Sequence, residues 1–321
     1  MKLGFGIIGL GGIAERFAKV LGTAEGAELV AVASRDRDRA EAFARKFGAR
    51  KVCDGYIDLI GDPAVDAVYI ALTHNFHYDF AKLCLEKGKA VLCEKPLALT
   101  RKEAESLAEL SRRRKVLLME AMWTRCIPAF RKARQWVEEG RIGKAKLVEA
   151  AFCFKAPYDP EGRLFNPKLA GGGLYDAGVY PIEFATGILG EAPSTIVGAA
   201  GVGKTGVDEY AAVSLGFPSG AVASLACGIV AAAPQEARVY GTEGSIIVHD
   251  FLGPRVCELF GPDGKRVEDF EEDFADGFIY EIEHFAGLYR AGKIESGLIP
   301  LADTIVCAGA FDALMSQWGL R

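Results

Sequence analysis

The first third of the chain alternates short apolar runs with longer amphipathic stretches. The short runs predict buried strands, and the stretches whose apolar residues recur every three or four positions predict helices. This alternation is typical of a parallel sheet with crossover helices. The predicted strands are Leu3–Ile8, Glu28–Ala33, Ala67–Leu72, Ala90–Cys93 and Val116–Met119. The predicted helices are Glu15–Leu21, Asp38–Phe47, His77–Lys87 and Thr100–Arg114.

Beyond about residue 121 the pattern changes to strand-like runs without helices between them. Consecutive strands joined by turns favour a mainly antiparallel sheet. We therefore expect an α/β chain with a doubly wound parallel sheet in residues 1–121 and an open, mainly antiparallel sheet in residues 122–321. The predicted strands are Lys146–Phe154, Ser194–Val202, Glu209–Gly216, Ala221–Val230, Glu236–Tyr240 and Ser245–His249, with helices at Ile127–Glu139, Gly173–Leu189 and near the C-terminus.

One stretch, residues 211–235, carries no charge and is long enough to span a bilayer. The turn residues Gly216-Phe-Pro-Ser-Gly220 interrupt it, so two strands joined by a turn fit better than one helix. The glycine-rich N-terminal run passes directly into Glu15 and Arg16, which does not resemble a signal peptide. We expect no association with a membrane.

Length and charge narrow the class of protein. At about 150 residues per domain, 321 residues predict two domains. With 38 basic and 43 acidic residues the net charge is −5, which gives no field to attract nucleic acid. The eight cysteines form no Cys-x-x-Cys motif, which disfavours zinc ribbons and thioredoxin-type sites. They are expected to be buried thiols in a cytoplasmic protein.

A glycine-rich loop, Gly9-Leu10-Gly11-Gly12-Ile13-Ala14, joins the first predicted strand to the first predicted helix. It matches the pattern G-x-G-x-x-A, in which the first glycine allows a tight turn. The second lets backbone amides approach a pyrophosphate, and the alanine lets the helix lie close to the strand. The loop predicts a dinucleotide site that includes Gly9, Gly11, Gly12, Ile13 and Ala14.

The residues after the second strand bear on which dinucleotide is bound. An acidic residue there would hold the ribose 2′-hydroxyl of NAD, but this chain has Ser34 and Arg35. A hydroxyl and a guanidinium suit a 2′-phosphate, so NADP is preferred and NAD stays possible, with Arg39 in the same predicted set. Two alternatives stay open. Arg35 and Arg37 could only decorate a helix start, and a register shifted by two would let Asp36 hold the ribose.

Two further motifs carry candidate chemistry. Glu94-Lys95-Pro96 follows a strand whose carboxyl end would face the cofactor, and a lysine there could stabilise a developing oxyanion. In the run Gly171–Pro181, Asp176 and Tyr180 are four residues apart and would share a helical face. A tyrosine becomes a useful acid or base near neutral pH only beside a cation, and Lys95 is the candidate.

The segments GIIGLGGIAERFA, CEKPLALT, EAMWTR and GGGLYDAGVYPI, in this order, resemble the Gfo/Idh/MocA family of oxidoreductases. Tyr180 stands where many members carry histidine. That substitution resembles the branch of dimeric dihydrodiol dehydrogenases, NADP-dependent D-xylose dehydrogenases and glucose–fructose oxidoreductase.

The resemblance implies a Rossmann domain and a second domain whose open sheet forms homodimers or homotetramers. It implies that Lys95 is the catalytic lysine, that Tyr180 is the general acid–base, and that Asp176 is the aspartate of the family motif. We expect Asp176 to orient the substrate or the lysine. No metal is implied. His77 is expected to be structural or near the cofactor. The remaining cofactor contacts implied are Thr73, Asn75, Glu94, Trp123 and Arg125, together with His77 and Lys95.

Aromatic and polar residues upstream of the glycine triplet bear on substrate. Phe152 and Phe154 could cover a flat ring or an apolar sugar face, and Arg163 and Asn166 could bind hydroxyls, although all four could equally be core or loop residues. The predicted substrate-binding set is Lys95, Trp123, Phe154, Arg163, Asp176 and Tyr180.

The predicted reaction is hydride transfer between NADP and a hydroxyl-bearing carbon of a sugar, polyol or trans-dihydrodiol. Two rival functions stay open: a redox-neutral NAD(P)-dependent eliminase or glycosidase, and a non-catalytic NADP-sensing regulator.

Overall fold

The computed structural model describes residues 2–320, which form two compact units. The first unit takes in residues 2–98, 102–122 and 276–301, and the second takes in residues 99–101, 123–275 and 302–320. The predicted division at residue 121 lies next to the observed change from the first unit to the second. It differs in assigning residues 276–301, which return to the first unit.

The first unit contains a six-stranded, fully parallel sheet in the order β3-β2-β1-β4-β5-β6. This order is that of the doubly wound dinucleotide-binding fold, so the predicted class of the first domain is confirmed. The strands are β1 (Leu3–Ile8), β2 (Ala27–Ala33), β3 (Lys51–Val52), β4 (Ala67–Ile70), β5 (Ala90–Glu94) and β6 (Leu118–Ala121). The helices are α1 (Gly12–Leu21), α2 (Arg37–Phe47), α3 (Tyr56–Gly61), α4 (His77–Glu86) and α5 (Arg101–Arg114), with α8 (Phe278–Arg290) returning from the end of the chain.

Apolar spacing explains how these helices cover the sheet. In α1 the buried residues include Ala14, Phe17, Ala18 and Leu21, which is the i, i+3, i+4, i+7 pattern of one helical face. The ring of Phe17 stacks on Tyr69 of β4 at 3.6 Å between centroids. A single hydrophobic face therefore fixes the helix that follows the glycine loop.

Helix α8 belongs to the first unit because its buried side completes the same core. Phe278, Ile282 and Phe285 are each at most 1% exposed. The ring of Phe285 lies 5.6 Å from that of Phe5 on β1. The prediction of two continuous domains missed this return because the α8 sequence shows its amphipathic pattern but not which sheet it covers.

The second unit contains an eight-stranded sheet in the order β14-β13-β12-β11-β7-β10-β9-β8. All its pairs are antiparallel except β7 with β10, which confirms the predicted mainly antiparallel sheet. The strands are β7 (Ala145–Cys153), β8 (Thr195–Val202), β9 (Asp208–Gly216), β10 (Val222–Gly228), β11 (Ala237–Gly241), β12 (Ser245–Val248), β13 (Val256–Phe260) and β14 (Arg266–Glu271). The helices are α6 (Pro128–Glu138), α7 (Val179–Leu189) and α9 (Leu301–Gln317).

The uncharged stretch of the sequence is the hairpin of β9 and β10. The amide of Phe217 donates to the carbonyl of Ala221 at 2.9 Å and closes the turn. Within residues 2–320, no helix has the length and apolar character that a membrane crossing requires.

Candidate active site

The glycine loop joins β1 to α1, and its glycines have different structural reasons. Gly9 has φ +84°, and a Cβ there would lie 2.5 Å from the carbonyl oxygen of Ala71, so only glycine fits. At Gly11 and Gly12 an added Cβ would meet no atom of residues 2–320 within 4 Å. Internal packing does not require glycine at these two positions. Their missing side chains leave the amides at the start of α1 open to an anion.

A cleft of about 660 Å³ lies against this loop in the first unit. It brings together six of the residues predicted to bind the cofactor: Gly9, Gly11, Ser34, Arg35, Arg39 and Thr73. Of the other predicted loop residues, Ala14 is fully buried in α1 and Ile13 is 36% exposed. The remaining side chains that line the cleft are Leu10, Asp36, Tyr56, Ala71, Leu72, Phe76 and Phe80.

The turn between β2 and α2 is ordered by its own side chains. Asp36 is the N-cap of α2, and its carboxylate accepts the Arg39 amide at 3.1 Å. The Ser34 hydroxyl oxygen accepts the Asp36 amide at 3.2 Å. If Asp36 held the ribose, as in the alternative above, the same carboxylate would also have to cap α2.

The arginines of this turn fall into two classes. Arg37 forms ion pairs with Glu41 at 3.1 Å and with Asp54, so it is a surface residue at the start of α2 whose charge is already paired. Arg35 and Arg39 line the cleft, and neither forms an ion pair within the part of the chain that the structure describes. Unpaired guanidinium groups at a cleft wall are suited to a phosphate.

Three aromatic residues on the same cleft were not predicted. Tyr56 packs edge-on against Phe80 at 5.2 Å between centroids, and Phe76 lies 6.5 Å from Phe80. Phe76 is 38% exposed. Tyr56 was missed because the strand before it, β3, has only two residues and shows no apolar run in the sequence. Phe76 and Phe80 follow β4, where the predicted interest lay in polar residues.

The Glu94-Lys95-Pro96 segment leaves the end of β5 and is anchored by buried side chains. The Tyr69 hydroxyl donates to Glu94 Oε1, and the Lys95 amide donates to Glu94 Oε2 at 3.3 Å. The Lys95–Pro96 peptide bond is cis. Burial raises the pKa of Glu94, and the hydrogen bond from Tyr69 opposes this shift. Glu94 thus accepts a hydrogen bond from the backbone of Lys95 and helps to fix it.

His77 and Glu120 hold the next residues of the segment. The His77 ring nitrogens Nδ1 and Nε2 lie 2.8 Å from the Pro96 carbonyl oxygen and 3.0 Å from that of Leu72. Burial lowers the pKa of His77. Glu120, 1% exposed, accepts the Leu97 amide at 2.9 Å. Since both ring nitrogens of His77 face backbone carbonyls, its contacts are those of a structural residue that holds two backbone segments together.

Another buried carboxyl group lies in this core. Glu281 of α8 is 0% exposed, and neither of its side-chain oxygens has a hydrogen-bond partner among residues 2–320. Burial raises the pKa of Glu281 well above its usual range, and the nearby charge of Glu94 adds to the shift. Both effects favour the neutral, protonated form of this carboxyl group in the folded protein. Sequence reasoning gave no reason to select it.

In the second unit, the glycine triplet leads into a π-helical turn, Leu174–Gly178, and then into α7. Asp176 lies within the π-turn and is 6% exposed. Its Oδ1 accepts a hydrogen bond from Arg163 Nη1 at 2.6 Å, while the Arg163 side chain is 54% exposed. The structure thus brings together two of the residues predicted to bind substrate. π-turns are frequent at functional sites, and the sequence pattern predicted only a regular helix here.

Tyr180 lies in the first turn of α7 among aromatic side chains of its own unit. It is 9% exposed, and its hydroxyl oxygen accepts the indole N–H of Trp123 at 3.3 Å. The ring of Phe152 meets Tyr180 edge-on at 5.4 Å, and Phe154 lies 5.4 Å from Phe152. Four residues of interest in the sequence therefore form one cluster around a phenol.

Arg125, predicted to contact the cofactor, forms ion pairs and hydrogen bonds with residues of the second unit. It is 1% exposed and pairs with Glu183 at 2.8 Å and with Asp303 at 2.5 Å. Its Nη2 also donates to the Thr186 hydroxyl at 2.9 Å. A guanidinium engaged by the buried Glu183 and the partly exposed Asp303 is a structural cross-link, which the closeness of Arg125 to Trp123 in sequence could not reveal.

Two other predicted residues serve the local backbone or a neighbouring side chain. The Asn75 side-chain oxygen accepts the Thr73 hydroxyl at 2.7 Å. That of Asn166 accepts the Lys168 amide at 3.0 Å and caps a short 3₁₀ turn. Among residues 2–320, no three His, Cys, Asp or Glu side chains are grouped to hold a metal ion.

The first-unit cleft fits a nicotinamide dinucleotide. The open space at Gly11 and Gly12 suits a pyrophosphate, and the unpaired Arg35 and Arg39 suit a further phosphate. These residues would hold the phosphate-bearing part of the cofactor.

Comparison with known proteins agrees with this geometry. Residues 3–122 match the oxidoreductase family with an NAD-binding Rossmann fold, and residues 130–247 match the GFO/IDH/MocA C-terminal domain. Curated relatives include trans-1,2-dihydrobenzene-1,2-diol dehydrogenase of Mus musculus, 36% identical over 96% of this chain and 94% of that protein. The Homo sapiens enzyme of the same name is 33% identical over 100% and 98%.

Solved structures give the same assignment. A 3-ketoreductase from Actinomadura kijaniata, crystallised with NADP and TDP-benzene, superposes with a TM-score of 0.88 at 29% identity over 98% of each chain. Levoglucosan dehydrogenase has the same fold, with a TM-score of 0.90 at 23% identity over 100% of this chain and 98% of that one. The chain belongs to the Gfo/Idh/MocA family of NAD(P)-binding oxidoreductases.

Proposed function

We propose that this enzyme is an NADP-preferring dehydrogenase that oxidises a secondary alcohol or sugar hemiacetal, and catalyses the reverse reduction. The substrate classes are sugars, polyols and cyclic trans-dihydrodiols. The curated relatives carry the trans-dihydrodiol name, and the Actinomadura relative is a 3-ketoreductase, so both fall within this range.

The proton chemistry is assigned to Tyr180. In oxidation the Tyr180 phenolate takes the proton of the substrate hydroxyl and becomes the neutral phenol, and in reduction the phenol returns that proton. The Trp123 indole N–H, 3.3 Å from the same oxygen, stabilises negative charge there. The ammonium group of Lys95 stabilises the oxyanion that develops on the substrate. Asp176, held by Arg163, orients the substrate.

Cofactor preference is assigned to the turn after β2. Ser34, Arg35 and Arg39 are proposed to hold the 2′-phosphate, because all three line the cleft and the two arginines lack ion-pair partners in residues 2–320. NADP, when bound, supplies the hydride acceptor or donor.

The aromatic cluster around Tyr180 supports a ring-shaped substrate. Phe152 and Phe154 offer a flat apolar surface, while the half-exposed Arg163 and the buried Asp176 offer a donor and an acceptor for hydroxyl groups. A compact ring with one apolar face and neighbouring hydroxyls satisfies both kinds of contact.

Assembly is assigned to the outer face of the eight-stranded sheet. Val197 of β8 and Val222 of β10 are 50% and 49% exposed, and the strand register places them on one face with Ser214 and Ser224. We propose that this face pairs with a second copy to form a homodimer or homotetramer. All eight cysteines are buried, which supports a cytoplasmic location.

The observation that carries the proposal is a phenol with an indole donor on its oxygen and a buried, arginine-held carboxylate one helical turn away. The test is a panel of aldoses, polyols and cyclic diols, with absorbance at 340 nm followed for NADP and NAD in parallel. Net reduction of NADP by one substrate class is expected. Product formation without a change at 340 nm would point to redox-neutral chemistry instead.

A further inference from the structure

The start of the π-turn is held by a buried carboxyl group outside every predicted site. Asp208 is the first residue of β9 and is 0% exposed. Its Oδ2 accepts the backbone N–H of Leu174 at 2.6 Å. Leu174 opens the turn that carries Asp176 and leads into Tyr180. A short hydrogen bond therefore joins a rigid strand to the segment that bears the proposed chemistry.

The glycine triplet is shaped around this carboxyl group. A Cβ on Gly172 would lie 2.3 Å from Asp208 Oδ1, and one on Gly173 would lie 3.3 Å from Oδ2. Gly172 also has φ +119°, a conformation that side-chain-bearing residues rarely adopt. Because Gly172 and Gly173 have no side chains, the Asp208 carboxyl group can approach their backbone. This contact explains two glycines of the triplet, which the sequence alone does not.

The arrangement is costly to maintain. Oδ1 of Asp208 is buried and has no hydrogen-bond partner among residues 2–320. Burial raises the pKa of Asp208 to about 7. A buried polar atom left without a partner lowers stability, and an apolar side chain would avoid that cost. What the carboxyl group supplies here is an acceptor that fixes the first amide of the π-turn.

We propose that Asp208 is a positioning residue for catalysis, which sets the orientation of Asp176 and Tyr180 by holding the amide of Leu174. The inference rests on the proposed function, because it requires that Tyr180 and Asp176 act on the substrate. Asp208 itself is proposed to touch neither substrate nor cofactor. Removing its acceptor loosens the turn, so the reacting groups spend less time in the productive geometry.

The central test compares Asp208→Ala with Asp208→Asn in the full-length enzyme. Asparagine keeps an acceptor oxygen at the same reach and removes the charge, while alanine removes the acceptor. We expect kcat to fall about 30-fold in the alanine variant and about threefold or less in the asparagine variant. NADPH affinity, measured by fluorescence titration, is expected to be unchanged in both.

A matched control is Asp263→Ala. Asp263 also accepts a backbone amide, that of Lys265 at 3.0 Å, but it lies in an exposed turn after β13. Its kcat is expected to equal that of the wild type. Should Asp208→Ala not yield folded protein, Asp208→Ser removes the reach to Leu174 while keeping a polar atom, and the same loss of kcat is expected.

The double variant Asp208→Ala with Tyr180→Phe separates positioning from general loss of structure. If Asp208 acts through Tyr180 and Asp176, the double variant is expected to be little slower than Tyr180→Phe alone. Multiplied losses would mean a separate structural role and would overturn the proposal. So would a folded Asp208→Ala or Asp208→Ser enzyme with wild-type kcat, or a folded Asp208→Asn enzyme as slow as the alanine variant.

Failure of the proposed function has a different signature. In that case Tyr180→Phe itself retains the wild-type rate on the substrate found in the panel, and both proposals fall together. If Tyr180→Phe is inactive while Asp208→Ala is not impaired, only the role of Asp208 is overturned.

Discussion

The indole N–H of Trp123 donates to the phenol oxygen of Tyr180 at 3.3 Å. Trp123 begins a short 3₁₀ turn, and Tyr180 lies in the first turn of α7, so two separate segments of the second unit meet at this bond. A donor aimed at a phenol oxygen favours the ionised form, because it shares the negative charge. This bond supplies part of what a tyrosine acting as a base needs, and the cation that it also needs is proposed to be Lys95.

Replacing Trp123 by phenylalanine should slow the reaction. The donor is lost while most of the apolar surface stays, so kcat is expected to fall about tenfold, the value of one hydrogen bond to a charged oxygen. Steady-state kinetics on the identified substrate measures the effect. Trp318→Phe is the control, since its indole donates to the Gly198 carbonyl at 2.9 Å. Equal losses of kcat in the two variants would argue against a role for the Trp123 donor.

Arg35 should decide between the two dinucleotides. Arg35→Ala is expected to weaken NADPH binding about 10- to 100-fold and to leave NADH nearly unchanged, because only NADPH carries the 2′-phosphate. Ser34→Asp should act in the same direction through charge repulsion. Fluorescence titration gives both dissociation constants. The control is Arg37→Ala, whose guanidinium is engaged by Glu41 and Asp54. Loss of NADPH affinity in the control variant instead would reassign the phosphate site.

The buried Glu281 predicts how stability depends on pH. Its pKa in the folded state lies well above the value of about 4.3 in the unfolded chain, so the folded state keeps a proton that the unfolded state loses. Raising the pH above about 4.3 therefore favours unfolding, with a slope of about 1.4 kcal/mol per pH unit until the folded-state pKa is reached.

Glu281→Gln removes that dependence. Urea unfolding at pH 5 and at pH 8 should show the variant gaining stability relative to the wild type as the pH rises. Parallel pH dependences for the two proteins would mean that Glu281 is ionised in the folded state.

The outer face of the second sheet predicts an effect on assembly. Val222→Glu places a charge on the surface proposed to pair with a second copy, and burying that charge is unfavourable. Light scattering after gel filtration should show a shift toward monomer. Ile57→Glu alters a residue that is 60% exposed in the first unit and should leave the mass unchanged. A wild-type monomer, or a Val222→Glu enzyme that stays associated, would contradict the proposed interface.

Elements with strong local patterns were predictable. The apolar run before Gly9 and the polar-faced helix after it define β1 and α1, and the uncharged stretch with Gly216 and Gly220 defines the β9–β10 hairpin. In each case the residues that form the pattern and the residues that they contact lie within a few positions of one another in the sequence. The sheet classes of both units follow from the same local signals.

What could not be predicted depends on contacts between distant residues. Asp208 is a single acidic residue at the start of a strand, and its partner, the amide of Leu174, is 34 positions away. Arg125 follows the predicted cofactor motif, but its partners Glu183 and Asp303 are chosen by the fold. The two-residue β3 and the late strands β13 and β14 lack apolar runs long enough to be noticed.

The proposed chemistry depends most on the joint action of Lys95 and Tyr180. The direct measurement is single-turnover absorbance at 340 nm with the identified substrate, on wild type, Lys95→Met and Tyr180→Phe, each pre-saturated with NADP. We expect both variants to bind the cofactor normally and to reduce it at least 100-fold more slowly than the wild type. Wild-type rates in either variant would contradict the assigned chemistry.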